Sequence, residues 1–153
     1  MPLTGHQVCA HTNAMRELVA CQRTSTAAPA RYFQRWIDHA TWPQWSPDTT
    51  WARVDGPVQT GARGTLKPRG GPKTTFVVSE YHPDQLYTDV SRVPGATLTF
   101  RHAVDVTEAG TRLTVTVWLD GPLSGFWART AFRKFATSVP ADLDRLITLV
   151  EAG

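Results

Sequence analysis

Apolar and polar residues alternate most regularly between positions 97 and 120. Leu98, Phe100, His102, Val104 and Val106 interleave with Thr97, Thr99, Arg101, Ala103 and Asp105. Beyond Glu108-Ala109-Gly110-Thr111, Leu113, Val115, Val117 and Leu119 interleave with Thr114, Thr116, Trp118 and Asp120. A period of two on both sides of a turn predicts a half-buried hairpin. Centring the turn on Ala109-Gly110 pairs Val106 with Leu113, Val104 with Val115, His102 with Val117 and Phe100 with Leu119. A one-residue slip would turn one strand inside out.

Upstream, Asp55-Gly56-Pro57, Pro68-Arg69-Gly70-Gly71-Pro72, His82-Pro83-Asp84 and Val93-Pro94-Gly95 are turn signals. They predict strands near 50–55, 61–67, 74–81 and 86–92, and a first strand is expected over 17–24. Over 74–92 two faces compete. Turning Val77, Ser79, Tyr81, Leu86, Thr88 and Val90 inward is favoured, because the alternative (Phe76, Val78, Glu80, Tyr87 and Asp89) buries two carboxylates without partners. Either choice puts only one of Tyr81 and Tyr87 inward.

Pro29 suits the first position of a helix, where its missing N–H would be unpaired anyway. Phe33, Trp36 and Ile37 then form its apolar face. The segment Trp42-Pro43-Gln44-Trp45-Ser46-Pro47 suits a single helical turn. A long helix is expected from an N-cap at Ser124 to about Val150, with Phe132, Phe135, Val139, Leu143, Leu146, Ile147 and Val150 on one face. Pro140 is expected to kink or break it. The sum is an α+β helix-grip fold: a seven-stranded curved antiparallel sheet around a long C-terminal helix, with two short helices between strands 1 and 2. Such a sheet curls, and one helix cannot fill its concave side, which leaves a pocket.

Composition narrows the functions open to this fold. The 153 residues are 41% hydrophobic and 19% charged, which fits one globular domain. Residues 15–153 form that domain, and 1–14 read as a flexible N-terminal tail. No apolar run is long enough to span a membrane, and the tail lacks a signal-peptide core, so the chain is read as cytoplasmic. Of 16 basic residues 13 are arginine, scattered along the chain rather than forming a basic stripe, so no nucleic-acid partner is expected. Cys9 and Cys21 have no CxxC spacing and read as reduced thiols. His39, His82 and His102 fall on different elements, so no metal site is expected, and no cofactor motif of the Walker, GxGxxG, HExxH or GxSxG type occurs.

Three segments carry a family likeness: Ala28-Pro29-Ala30 through Trp42-Pro43-Gln44-Trp45-Ser46-Pro47; Gly56 through Gly61-Ala62-Arg63; and Gly110-Thr111-Arg112-Leu113-Thr114 with Asp120-Gly121-Pro122-Leu123. Leu143-Asp144-Arg145-Leu146 adds to it. On these the chain resembles the START-like superfamily (SRPBCC), within it the polyketide cyclase/dehydrase and lipid-transport group. The resemblance implies a hydrophobic cavity and a small hydrophobic ligand such as a lipid, quinone or aromatic polyketide. Some members are cyclases and many only carry a ligand.

The expected cavity wall takes Leu98, Phe100, His102, Val104, Val115, Val117 and Leu119 from the hairpin, with Tyr81, Trp45, Phe132, Phe135 and Val139. His102 has two readings: a handle for a ligand carbonyl or hydroxyl (a general acid or base if the ligand reacts), or a core histidine satisfied by its neighbours. Three functions stay open. One is a binding protein, another a polyketide cyclase/dehydratase enzyme, and the third a protein-interaction module with a filled cavity. Trp118 points outward, as an exposed aromatic on a monomer or a contact in a homodimer.

Overall fold

The computed structural model describes residues 15–153, and the expected tail lies outside them. The elements are β1 (Met15–Ser25), α1 (Pro29–Ile37), a 3-10 turn (His39–Gln44), β2 (Thr49–Asp55), β3 (Arg63–Pro68), β4 (Thr74–His82), β5 (Leu86–Val93), β6 (Ala96–Thr107), β7 (Gly110–Asp120), α2 (Ser124–Arg129) and α3 (Phe135–Ala152). The strands form one antiparallel sheet in the order β1-β7-β6-β5-β4-β3-β2. This is the expected helix grip, with the short helices joining the two edge strands. Among the described residues no helix is long and apolar enough to cross a membrane.

Pro29 occupies the start of α1, and Tyr32, Phe33 and Trp36 are its buried residues. α1 lies against β5 and β6, while α3 packs along β1. Glu151 near the end of α3 accepts from Ser25 Oγ at 2.6 Å and from the Thr26 N–H at 3.2 Å. Tyr32 hydrogen-bonds the same serine hydroxyl, so the C-terminal helix, β1 and α1 meet at one point.

Several sequence expectations need correction. The hairpin pairs Val104 with Leu113, His102 with Val115, Phe100 with Val117 and Leu98 with Leu119, two residues from the expected register. The turn is the two-residue Glu108-Ala109 link, closed by pairing of Thr107 with Gly110. A shift of two leaves every face unchanged, which is why alternation alone does not detect it.

The face expected for 74–92 is overturned except at Tyr81. Phe76, Val78, Tyr87, Asp89 and Ser91 are buried, whereas Val77 is exposed. A β-bulge between Val78 and Glu80 adds a residue to β4, so beyond it Tyr81 pairs with Tyr87 and Glu80 with Thr88. Both tyrosines therefore share the inner face. Glu80 turns outward, accepting from Thr88 Oγ1 at 2.9 Å and pairing with Arg101 at 3.4 Å. Of Glu80 and Asp89, only Asp89 is left inside, and the Tyr87 hydroxyl is its partner.

The C-terminal helix is two helices. Thr130, at φ −118 and ψ −104, ends α2, and α3 begins five residues later at Phe135. Pro140 lies inside α3 without breaking it. The carbonyl that loses its donor is that of Ala136, an exposed residue whose carbonyl can take water instead. Ser124 is not the N-cap either: Leu123 holds that position, with no side-chain cap.

Candidate functional site

Between the concave sheet face and the helices lies a cavity of about 770 Å³, within the range of small-molecule sites. Its apolar wall includes Leu66, Phe76, Leu98, Phe100, Val115, Phe132, Phe135, Val139 and Leu143. Phe132 and Phe135 stack at 5.3 Å, and Phe135 meets Phe100 edge-on at 5.4 Å. These rings form a wall and leave the cavity open. Its rim carries the exposed basic side chains of Arg69, Lys73, Arg92 and Lys134.

Strand register brings the polar groups together. Pairing places Tyr81, Tyr87, His102 and Val115 in one cross-strand row, and Val78, Asp89, Phe100 and Val117 in the next. Asp89 and His102 are thus diagonal neighbours on the inner face, and both line the cavity.

The 3-10 turn adds a third group. Trp42 Nε1 donates to the Trp36 carbonyl at 3.1 Å, folding the turn back onto α1. This sets the His39 ring against Trp42, at 4.6 Å, and Phe76, at 5.3 Å. Its Nδ1 is 3.1 Å from the Ile37 carbonyl and its Nε2 2.8 Å from the Tyr87 hydroxyl. That hydroxyl is in turn 3.0 Å from Asp89 Oδ2. His102 rests on Trp36 at 5.1 Å, with Nδ1 3.2 Å from the Tyr87 carbonyl.

Burial dominates the titration of these groups. It pushes the Asp89 carboxyl up to about 7, offset only in part by the Tyr87 hydroxyl. It pushes His39 and His102 down to about 4, against the hydrogen bonds their rings make to backbone. Asp142 on α3, bound to Ser46 Oγ at 2.9 Å, is pushed up to about 6 by burial. Near neutral pH both histidines are uncharged.

Of the wall expected from sequence, Leu98, Phe100, His102, Val115, Trp45, Phe132, Phe135 and Val139 line the cavity. Tyr81, Val104, Val117 and Leu119 do not. Tyr81 packs on Phe33 at 5.6 Å, and the other three are buried within the core. Trp118 is half-buried on the outer face, and Cys21 is half-buried beside Val115 on the inner one. Sequence reasoning missed the inner-face role of Asp89, the Tyr87 hydroxyl and His39. The signal was the pair Tyr87 and Asp89 at strand spacing, masked by a bulge that alternation does not reveal.

The sequence profile of the family described as polyketide cyclase / dehydrase and lipid transport matches residues 17–151. Comparison with curated protein sequences finds no match. Among solved structures, the di-domain ARO/CYC StfQ from the steffimycin biosynthetic pathway superposes with a TM-score of 0.74 at 13% identity, over 95% of this chain and 54% of that one. The Zhui aromatase/cyclase from Streptomyces sp. R1128 gives 0.70 at 15% identity, over 90% of this chain and 94% of that one. Ara h 8.0201 gives 0.68 at 13%, over 91% and 99%. At these identities the likeness is one of fold.

Proposed function

Since the chain belongs to the polyketide cyclase / dehydrase and lipid transport family, we propose that it binds a small, largely apolar molecule in the cavity, with His102 as a polar anchor. The observation that carries this reading is an open space of about 770 Å³ whose wall is mostly apolar and holds His102. His102 Nε2 has no hydrogen-bond partner among the described residues. An interaction module with a filled cavity finds no support in such a wall. Native mass spectrometry of gently purified protein should retain a bound small molecule, and His102→Ala should weaken binding of aromatic ligands. Protein that carries nothing and saturates with no lipid or aromatic compound would sink the proposal.

A specific observation favours an enzyme as the second reading. Cyclisation or dehydration needs at least two convergent proton-handling groups, and Asp89 and His102 stand together at the wall. Two structural neighbours named aromatase/cyclases add weight. The same variant separates the readings: in an enzyme His102→Ala abolishes turnover of a bound substrate, whereas in a carrier it lowers affinity alone.

A further inference from the structure

The polar atoms at the inner wall of the cavity can be assigned as donors or acceptors by counting protons. A backbone carbonyl only accepts. The His102 Nδ1 beside the Tyr87 carbonyl therefore carries the proton of the neutral ring, and Nε2 is left as a bare lone pair. No side chain among the described residues donates to it.

Asp89 yields to the same count. Nδ1 of His39 must donate to the Ile37 carbonyl, which leaves two arrangements for the line His39–Tyr87–Asp89. In one, Asp89 is ionised, Tyr87 donates to its Oδ2, and His39 is an imidazolium donating to Tyr87. In the other, His39 is neutral and accepts from Tyr87, and Asp89 carries a proton on Oδ2 that it donates to Tyr87. The first buries a cation at His39 and an anion at Asp89 in the core. The second keeps every hydrogen bond without either charge, so it is the favoured one. In both, Oδ1 is an acceptor. It has no partner among the described residues, and Asp89 lines the cavity.

Two wall tryptophans, Trp36 and Trp45, have indole N–H groups without acceptors, but both nitrogens are sealed from the open space. Ser91 offers a hydroxyl that serves in either role. The fixed donors of the cavity, Arg69, Lys73, Arg92 and Lys134, are at the rim.

We infer that the inner wall of the cavity is an acceptor site, formed by Asp89 Oδ1 and His102 Nε2, and that it selects a neutral ligand carrying a hydroxyl group over the corresponding ketone or hydrocarbon. Tyr87 and His39 are positioning residues: they hold the Asp89 proton on the oxygen that faces away from the ligand. The inference rests on the proposal that the cavity binds a small molecule, and it narrows the chemistry of that molecule. A ketone brought to this wall meets two lone pairs with one of its own, whereas a hydroxyl donates to either.

The test uses three tricyclic probes of one shape, 9-fluorenol, 9-fluorenone and fluorene, titrated by calorimetry into the full chain at neutral pH. Fluorenol should bind about tenfold more tightly than either of the others, the worth of one net hydrogen bond. Asp89→Leu combined with His102→Phe should abolish that preference while fluorene binding persists. Nitrogen-15 spectra of the free protein should show the His102 ring protonated at Nδ1 and bare at Nε2. Equal binding of all three probes, or a preference for fluorenone, overturns this inference and leaves the proposed function standing. A His102 ring protonated at Nε2 overturns it as well. Binding of none of the three overturns it too, and it overturns the proposed function only if native mass spectrometry also finds no bound lipid or aromatic compound.

Discussion

Gly64 on β3 lies beneath the ring of Phe76, which forms part of the cavity wall. A Cβ at this position would overlap the ring edge and stand 2.5 Å from the Arg53 carbonyl. Strand backbone cannot step aside on both counts, so Gly64→Ala must push Phe76 toward the open space. The expected outcome is a loss of about 1–3 kcal/mol in urea denaturation, with weaker ligand binding as the wall moves in. Nothing in the sequence around Gly64 announces this, because a glycine within a strand reads only as a weak spot. His102, by contrast, was legible: it is the one polar residue in an apolar alternation, and strand period alone turns it inward. Asp89 was not. Its chemistry depends on a tyrosine two residues away and a histidine 50 residues upstream, and only the fold brings those together.

At the scale of elements, the bulge at Ser79 decides what the cavity contains. Before it Phe76 and Val78 face inward; after it Tyr81 does, while Ser79 is exposed. A regular strand through the same residues would bury Glu80 and expose Tyr81, and Tyr81 is what packs on Phe33 of α1. The extra residue therefore reconciles two halves of β4 whose alternations are out of phase, which is why no single face fits the sequence from 74 to 92. Deleting Ser79 should restore a regular ladder without changing any face, so the variant should fold with stability within about 1 kcal/mol of the parent. Deleting Thr99 from the unbulged β6 should instead turn Phe100, His102 and Val104 outward and abolish folding. Near-ultraviolet circular dichroism and thermal melts of both variants distinguish the cases. Two deletions of equal effect would count against the bulge. The C-terminal helix shows the opposite limit of reading. Its apolar face was legible, but its break was not, since Thr130 carries no signal comparable to that of Pro140.

For the whole molecule, the buried groups set opposing pH dependences. His39 and His102 titrate near 6.5 when unfolded and near 4 when folded. Between those values the unfolded chain binds more protons, so their contribution is complete above 6.5 and is lost as pH falls toward 4. Asp89 runs the other way. Its carboxyl moves from 3.8 up to about 7, so over that interval the folded chain binds more protons and stability declines as pH rises. Asp142, pushed up to about 6, acts in the same direction as Asp89. The parent should therefore show a shallow profile from pH 4 to 7, in which acid destabilisation by the histidines is balanced by the carboxyls. Removing one side exposes the other. Asp89→Asn should gain stability relative to the parent as pH rises through this window, by up to about 1.4 kcal/mol per pH unit, and no further above 7. His102→Asn should gain relative to the parent as pH falls from 6.5 toward 4. Urea midpoints at pH 4.5, 6 and 8 measure both differences. If Asp89→Asn tracks the parent in parallel at all three, Asp89 is ionised in the folded protein, and the neutral arrangement of the His39–Tyr87–Asp89 line is wrong.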